Sequence, residues 1–167
     1  MHYSFPQTPF FKDWWVNYVD RPWLASGYGF AGFDCGGLVI YSTKFDRGVP
    51  LRDPIDGIKY TLDMARQERT KAIKARIGLY KKDWAEIPRD CAIDGSAVLM
   101  RRSGEPKHLG IYMEDGFILH ADESAGKVLM DPIKNHEESI ISFHLPKMVV
   151  NANTKNGDNL GTHKPQI

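Results

Sequence analysis

The chain has 167 residues, a formal net charge of +1 and a hydrophobic content of 42%. This length suits one domain with a buried core, and the near-neutral charge argues against nucleic acid as a partner. Its two cysteines form no CxxC pair, which excludes a zinc ribbon and a disulfide scaffold. No apolar run reaches membrane-spanning length, so we expect no membrane insertion.

The N-terminal stretch MHYSFPQTPFFKDWW lacks a basic start followed by an apolar core. We therefore expect no signal peptide, and a protein that is made in the cytoplasm and keeps its thiols free. Residues 13–19 predict a short helix, and a glycine-rich loop follows.

A helix is predicted to begin at Cys35, with Asp34 as its N-cap. Leu38, Tyr41 and Phe45 follow at helical spacing, so we expect this stripe to face the core. Residues 55–82 predict a second helix whose inward residues are Ile58, Leu62, Ala65, Ile73 and Ile77, and whose basic stretch from Arg66 to Lys82 is a solvated face. Trp84 and Ile87 are expected to close this section.

The apolar period then changes to two, which is typical of strands joined by short turns. The predicted strands are Ala97–Arg101, His108–Met113, Phe117–Ala121, Lys127–Met130 and Ser139–Leu145. Helices followed by an antiparallel meander indicate an α+β fold. We expect residues 1–145 to form one domain and residues 146–167 to form a tail that is flexible or ordered by a partner.

Cys35 stands in GFAGFDCGGLVIY, at a helix start whose free N–H groups favour a thiolate and an oxyanion. Asp34 acts against the thiolate, whereas Gly36 and Gly37 indicate close approach of a substrate. The alternative is a small core thiol at a tight turn. Cys91 has no histidine near it in sequence and is interpreted as incidental.

Two histidines lie in one hairpin, HLGIYMEDGFILH. A three-residue loop ending in Gly116 pairs Met113 with Phe117 and makes one face uniformly apolar. The other face then brings His108 and His120 close enough for their rings to meet, with a hollow at Gly110 where a helix start could approach. One histidine could activate the thiol and the other orient it. Merely structural histidines, or a zinc site with Asp122, remain alternatives, while His136 and His144 are interpreted as exposed or packed.

GFDCGGLV followed by HLGIYMEDGFILHA resembles the NlpC-type cell-wall peptidases, a branch of the papain-like cysteine peptidases, over roughly residues 15–125. The resemblance implies a fold in which the cysteine-bearing helix packs on a small antiparallel sheet. It also implies Cys35 as nucleophile, His108 as general base and acid, and His120 as the residue that orients His108. Peptides of bacterial peptidoglycan would be the substrate, without a cofactor or metal.

The substrate side of this resemblance has departures. Gly36 replaces the family's serine, and Trp23 replaces a tyrosine of many members, for which Tyr28 could substitute. Trp23, Tyr28, Asp34 and Gly36 are the expected substrate-binding residues. The segment RPWLASGYGFAGFDCGGLV looks most like members associated with bacteriophage tails, which implies tail-tip proteins as partners and a place in a virion tail. A structural tail component without activity, and an acyltransferase or amidase, remain the alternatives.

Overall fold

The computed structural model describes residues 3–6, 13–52 and 58–157, with residues 153–157 described by their backbone alone. The helices are α1 (Cys35–Phe45), α2 (Arg66–Tyr80) and α3 (Lys147–Gly157), with 3-10 segments at Trp14–Asn17, Arg89–Cys91 and Ile133–Asn135. The strands are β1 (Trp84–Ile87), β2 (Ala97–Arg102), β3 (Glu105–Met113), β4 (Phe117–Asp122), β5 (Lys127–Pro132) and β6 (Ile140–Pro146). The α+β layout is confirmed.

The strands form one antiparallel sheet in the order β1-β6-β2-β3-β4-β5. Four of the five predicted meander strands, β2 to β5, are neighbours in chain order, but the fifth, β6, departs from the predicted meander and returns to pair with β2. Strand β1 was not predicted, because its four residues show no alternation: Trp84 and Ile87 are buried, and the two residues between them are not. Its pairing with β6 makes it a strand at the edge of the sheet.

The second helix begins at Arg66, so the prediction of helix from residue 55 is wrong for residues 58–65, and residues 53–57 lie outside the described residues. Ile58 and Leu62 are 39% and 62% exposed instead of buried. The Ser26 hydroxyl bonds both the backbone N–H and the carbonyl of Tyr60. This contact with a distant loop holds the segment out of the helix that its apolar spacing favours.

Both chain ends depart in part from the predictions. The expected helix at residues 13–19 is a single 3-10 turn, Trp14–Asn17, with Trp14 buried. The expected tail begins with α3, whose Val149 is 1% exposed and packs in the apolar cluster that contains Phe143. Residues 158–167 lie outside the described residues, and the division of the chain at residue 145 stays a prediction.

Apolar side chains cover both faces of the sheet. Helix α1 packs on β3 and β4, and Leu38 is fully buried there among Leu109, Ile111 and Leu119. Phe45, the last residue of the predicted core stripe, is 53% exposed, so the stripe runs out to solvent at the end of α1. A second cluster, on the opposite face, is built on Val98, Met100, Ile118 and Phe143. None of the helices within the described residues has the length and apolarity needed to cross a bilayer.

Candidate active site

Helix α1 starts at Cys35 as predicted, and Asp34 caps it. The backbone of Asp34 is extended, and its Oδ1 accepts a hydrogen bond of 2.6 Å from the N–H of Gly37. A Cβ at position 37 would lie 1.9 Å from the carbonyl oxygen of Gly27, and one at position 36 would lie 2.8 Å from the ring of Tyr80. The glycines therefore make room for the chain's own groups, and the expectation that substrate also approaches closely here stays a prediction.

Asp34 lies beneath the helix start, in a network that the sequence did not reveal. Its Oδ2 accepts a 2.6 Å bond from Nη1 of Arg76 on α2, with both side chains at most 5% exposed. The ring of Tyr60 lies beside this pair, with the Arg76 guanidinium carbon 5.5 Å from its centroid. Burial raises the pKa of Asp34, and the charge of Arg76 opposes this shift. Asp34 therefore fixes the position of Cys35. Its expected role in substrate binding stays a prediction, because its side chain is buried.

The histidine hairpin has the predicted register over the pairs Ile111–Leu119, Tyr112–Ile118 and Met113–Phe117. The hollow expected at Gly110 is not open. A Cβ there would lie 2.5 Å from a methyl group of Ile118 and 3.0 Å from Met100. The glycine serves the apolar cluster on the far face of the sheet.

The two histidines meet just beyond the last paired residues of the hairpin, where β3 and β4 separate. Toward the open end of the hairpin, β3 pairs with β2 at His108 and β4 pairs with β5 at His120. Nε2 of His108 lies 3.0 Å from Nδ1 of His120, with the rings nearly perpendicular. Both side chains are buried. The predicted contact between the rings is confirmed, and it occupies Nε2 of His108, which leaves Nδ1 as the other ring nitrogen.

Cys35 and His108 line one cavity of about 210 Å³. Trp23 and Tyr60 also line it. Tyr28 instead packs against Tyr41, with ring centroids 5.4 Å apart, so the structure does not bring it to the cavity. The rest of the wall includes four cations and one carboxylate, namely Arg66, Arg69, Arg102, Lys107 and Glu123.

Burial sets the charge state of the thiol and the imidazole. Burial raises the pKa of the Cys35 thiol to about 11, and the Asp34 carboxylate adds to the shift. The N–H groups of Leu109 and Gly36 and the charge of Arg76 act in the other direction and do not outweigh it. Burial, and then the neighbouring His120, hold the pKa of His108 well below its ordinary value. Burial therefore favours the neutral forms of both the thiol and the imidazole, although the helix start alone would favour a thiolate.

Two residues that the sequence analysis did not select complete the arrangement. Oδ2 of Asp131 lies 3.1 Å from Nε2 of His120 and 3.2 Å from Nε2 of His136. Asp131 stands one residue beyond the predicted end of its strand, and its register opposite Ile118 was the signal that could have found it. His136 was interpreted as exposed or packed, and it is half-buried against Asp131.

Metal ligation was expected, if anywhere, at His108, His120 and Asp122. Asp122 instead accepts two bonds of 3.0 Å from Arg102, so that alternative is wrong. Within the described residues, the group whose ligand atoms lie close enough to hold a metal ion is His120, Asp131 and His136. His144 is packed, with its Nε2 2.8 Å from the hydroxyl of Ser142.

Comparison with known proteins agrees with this fold. The P60 domain of an antigen from M. avium subspecies paratuberculosis has a TM-score of 0.51 and 22% identity, over 78% of this chain and 87% of that one. The NlpC/p60 domain of peptidoglycan hydrolase SagA gives 0.51 and 19%, over 78% and 90%. RipD from Mycobacterium tuberculosis, described as a non-catalytic NlpC/p60 protein adapted to peptidoglycan binding, gives 0.50 and 15%, over 78% and 88%.

These structural similarities show the fold, and no curated protein sequence matches the chain. The sequence profile of the NlpC/P60 family, however, matches residues 20–145, which is most of the chain. The match spans the helix start at Cys35 and the hairpin that carries His108 and His120. The chain therefore belongs to the NlpC/P60 family.

Proposed function

We propose that this protein is a cysteine endopeptidase that hydrolyses peptide bonds in the stem peptides of bacterial peptidoglycan. The observation that carries the proposal is the 3.0 Å contact between His108 and His120, beside a cavity that Cys35 lines. A nucleophile, a base and a group that orients the base are the parts that thiol catalysis requires. The family match and the similarity to a domain named as a peptidoglycan hydrolase support the substrate class.

The hydrogen bonds determine which nitrogens carry protons. The carboxylate of Asp131 only accepts, so Nε2 of His120 carries its proton and Nδ1 is free to accept. Nε2 of His108 then donates to that Nδ1, which leaves the lone pair on Nδ1 of His108. This is the tautomer that can take the proton of the Cys35 thiol.

The reaction follows from these roles. Sγ of Cys35 attacks the amide carbonyl while Nδ1 of His108 takes the thiol proton. The N–H groups at the start of α1, those of Cys35 and Gly36, would stabilise the oxyanion. His108 returns the proton to the leaving amine, and water then hydrolyses the acyl-enzyme.

The cationic wall of the cavity fits this substrate class, because stem peptides carry free carboxylates. Nζ of Lys107 lies 3.5 Å from the Thr70 hydroxyl, and Arg69 pairs with Glu123 at 3.1 Å. Trp23 offers an apolar surface on the same wall. A carboxylate bound between such cations would gain charge-assisted hydrogen bonds.

The test uses freshly reduced protein, purified stem peptides and mass spectrometry of the products. We expect new amines from the wild type, and a loss of at least about a thousandfold in Cys35→Ala and His108→Ala. Cys91→Ala is the matched control, because Cys91 lies in a separate 3-10 turn, and it should cleave as the wild type does. Equal cleavage by Cys35→Ala would contradict the thiol mechanism. Transfer to an added amine in place of water would identify an acyltransferase.

A second candidate function is peptidoglycan binding without cleavage. It is favoured by the neutral resting thiol, whose pKa of about 11 makes a preformed thiolate scarce. RipD, described as non-catalytic, shares the fold. Saturable binding of stem peptides by a wild type that never cleaves them would support this function over hydrolysis.

We further propose that the protein acts in the tail of a phage or phage-like particle, beside tail-tip proteins. The support is the resemblance of the segment around Cys35 to tail-associated members of the family. Mass spectrometry of purified particles should find the chain at a fixed ratio to the tail proteins. Intact, infective particles without the chain would contradict the proposal.

A further inference from the structure

Two side chains approach His120 on the side of its ring that faces away from His108. His120 itself lies on β4, and the other two come from β5 and from the residue that follows the last 3-10 segment. A single carboxylate oxygen of Asp131 stands between Nε2 of His120 and Nε2 of His136, at 3.1 and 3.2 Å. The two imidazole rings have centroids 5.1 Å apart. We call His120, Asp131 and His136 the outer cluster.

The donor set of the outer cluster suits a divalent transition metal. Zinc binds imidazole nitrogen and carboxylate oxygen at about 2.0–2.2 Å, so neighbouring ligand atoms of a tetrahedral site lie roughly 3.3 Å apart. The two nitrogen–oxygen separations are close to that value, and all three ligand atoms lie within 4.8 Å of one another. Asp131 is 34% exposed and His136 is 21% exposed, which leaves a route from solvent and a fourth position for water.

We propose that the outer cluster is a zinc site, and that zinc bound there switches off the base of the active site. The binding part stands on the geometry of the cluster alone. The switching part rests on the proposed function, because it acts through His108.

The switch follows from proton positions. Without metal, Nε2 of His120 carries the proton and Nδ1 accepts from His108. Zinc takes the lone pair of Nε2, so the proton of a neutral His120 moves to Nδ1 and points at Nε2 of His108. Nε2 of His108 must then accept, and the proton of His108 moves to Nδ1. Each ring keeps one proton, but His108 no longer offers a lone pair to the Cys35 thiol.

The same distances are those of two hydrogen bonds from His120 and His136 to Asp131, so the three groups can adopt two arrangements. In one of them Asp131 accepts from two N–H groups, and in the other the three groups ligate zinc. The metal competes with protons on two imidazole nitrogens, and the side chains need to move little. Zinc would therefore inhibit reversibly, and a chelator would restore the active tautomer.

The direct test uses Cys35→Ala, which keeps the outer cluster and lacks the thiol that could itself bind zinc. Zinc is titrated into chelator-treated protein by calorimetry, and long-range ¹H–¹⁵N spectra of the imidazoles report the tautomers. We expect one zinc per chain, with His108 changing from the Nε2–H to the Nδ1–H form. The matched variant adds His136→Gln, whose amide can still donate to Asp131 but is a poor zinc ligand. It should weaken binding at least tenfold.

Activity gives the second readout. Zinc should inhibit the wild type, a chelator should reverse this, and His136→Gln should need at least tenfold more zinc for the same fractional inhibition. Equal zinc affinity with and without His136→Gln, or no change in the His108 tautomer, would overturn the proposal. Inhibition that is unaffected by His136→Gln would place the metal on Cys35 and His108 instead. If the wild type cleaves nothing, calorimetry and NMR still decide the zinc site, so its failure is distinct from that of the proposed function.

Discussion

The buried pair beneath the helix start allows a quantitative prediction for Arg76→Met. Arg76 and Asp34 are 5% and 2% exposed and are joined at 2.6 Å, so the substitution leaves a buried carboxylate without its cation. The carboxylate can escape this cost by taking up a proton. An aspartate of ordinary pKa, about 3.9, loses about 1.4 kcal/mol per pH unit when it is held protonated above that value, or about 4 kcal/mol at pH 7.

We therefore expect Arg76→Met to lower the free energy of unfolding by about 3–4 kcal/mol at pH 7, and the Tm by roughly 6–16 °C. In this variant the folded pKa of Asp34 lies further above its unfolded value than it does beside Arg76, so the penalty shrinks as the pH falls. At pH 5 protonation costs only about 1.5 kcal/mol, and the penalty should fall to that value or below.

Urea unfolding followed by circular dichroism at pH 7 and pH 5 measures both quantities. The double variant Asp34→Asn/Arg76→Met should recover most of the loss, because asparagine still caps the helix and carries no charge. Lys74→Met removes an ion pair of similar length, 2.8 Å, from the same helix, but both partners are 47% exposed, and we expect no measurable change. A penalty for Arg76→Met that is equal at the two pH values would refute the reasoning.

Three further outcomes can be measured on the same protein. Gly37→Ala should cost about 3 kcal/mol or more in urea unfolding, because its Cβ would meet the backbone oxygen of Gly27 at 1.9 Å, and wild-type stability would contradict that packing. Burial lowers the pKa of His144, so the stability that this residue contributes is complete above the unfolded pKa of about 6.5 and is lost as the pH falls below that value. His144→Gln should therefore flatten the decline in Tm between pH 7 and pH 5, and an unchanged slope would contradict this. Asp131→Asn should lower kcat at least about tenfold with little change in KM, because an amide no longer fixes the proton on Nε2 of His120, and full kcat would show that the tautomer is set elsewhere.

Local chemistry accounts for the parts of the fold that the sequence predicted. Asp34 caps α1 through a bond that spans three residues, and the hairpin register follows from a glycine loop and one apolar face. Such features are determined within a few positions of the chain. The meeting of His108 and His120 follows from that register, so the sequence contained it.

The features that the sequence did not predict depend on contacts between distant segments. Arg76 reads as one cation of a solvated helix, and only the packing of α2 against Asp34, 42 residues away, shows that it is buried. Strand β1 becomes a strand by pairing with β6. Asp131 and His136 stand in no sequence motif that marks them as functional residues. They reach His120 because β5 lies beside β4 in the sheet.

The direction in which burial shifts the pKa values of Cys35 and His108 bears on why the hydrogen bonds from His108 through His120 to Asp131 matter in the proposed reaction. Burial disfavours both the thiolate and the imidazolium, so proton transfer has to accompany attack on the carbonyl. A base that works in this way must already hold its lone pair toward the thiol. In this chain that requirement passes through His120 to Asp131, a residue 34% exposed at the surface. In the proposed mechanism, a site built on a buried cysteine and histidine is therefore open to control from the surface through the position of one proton on His120.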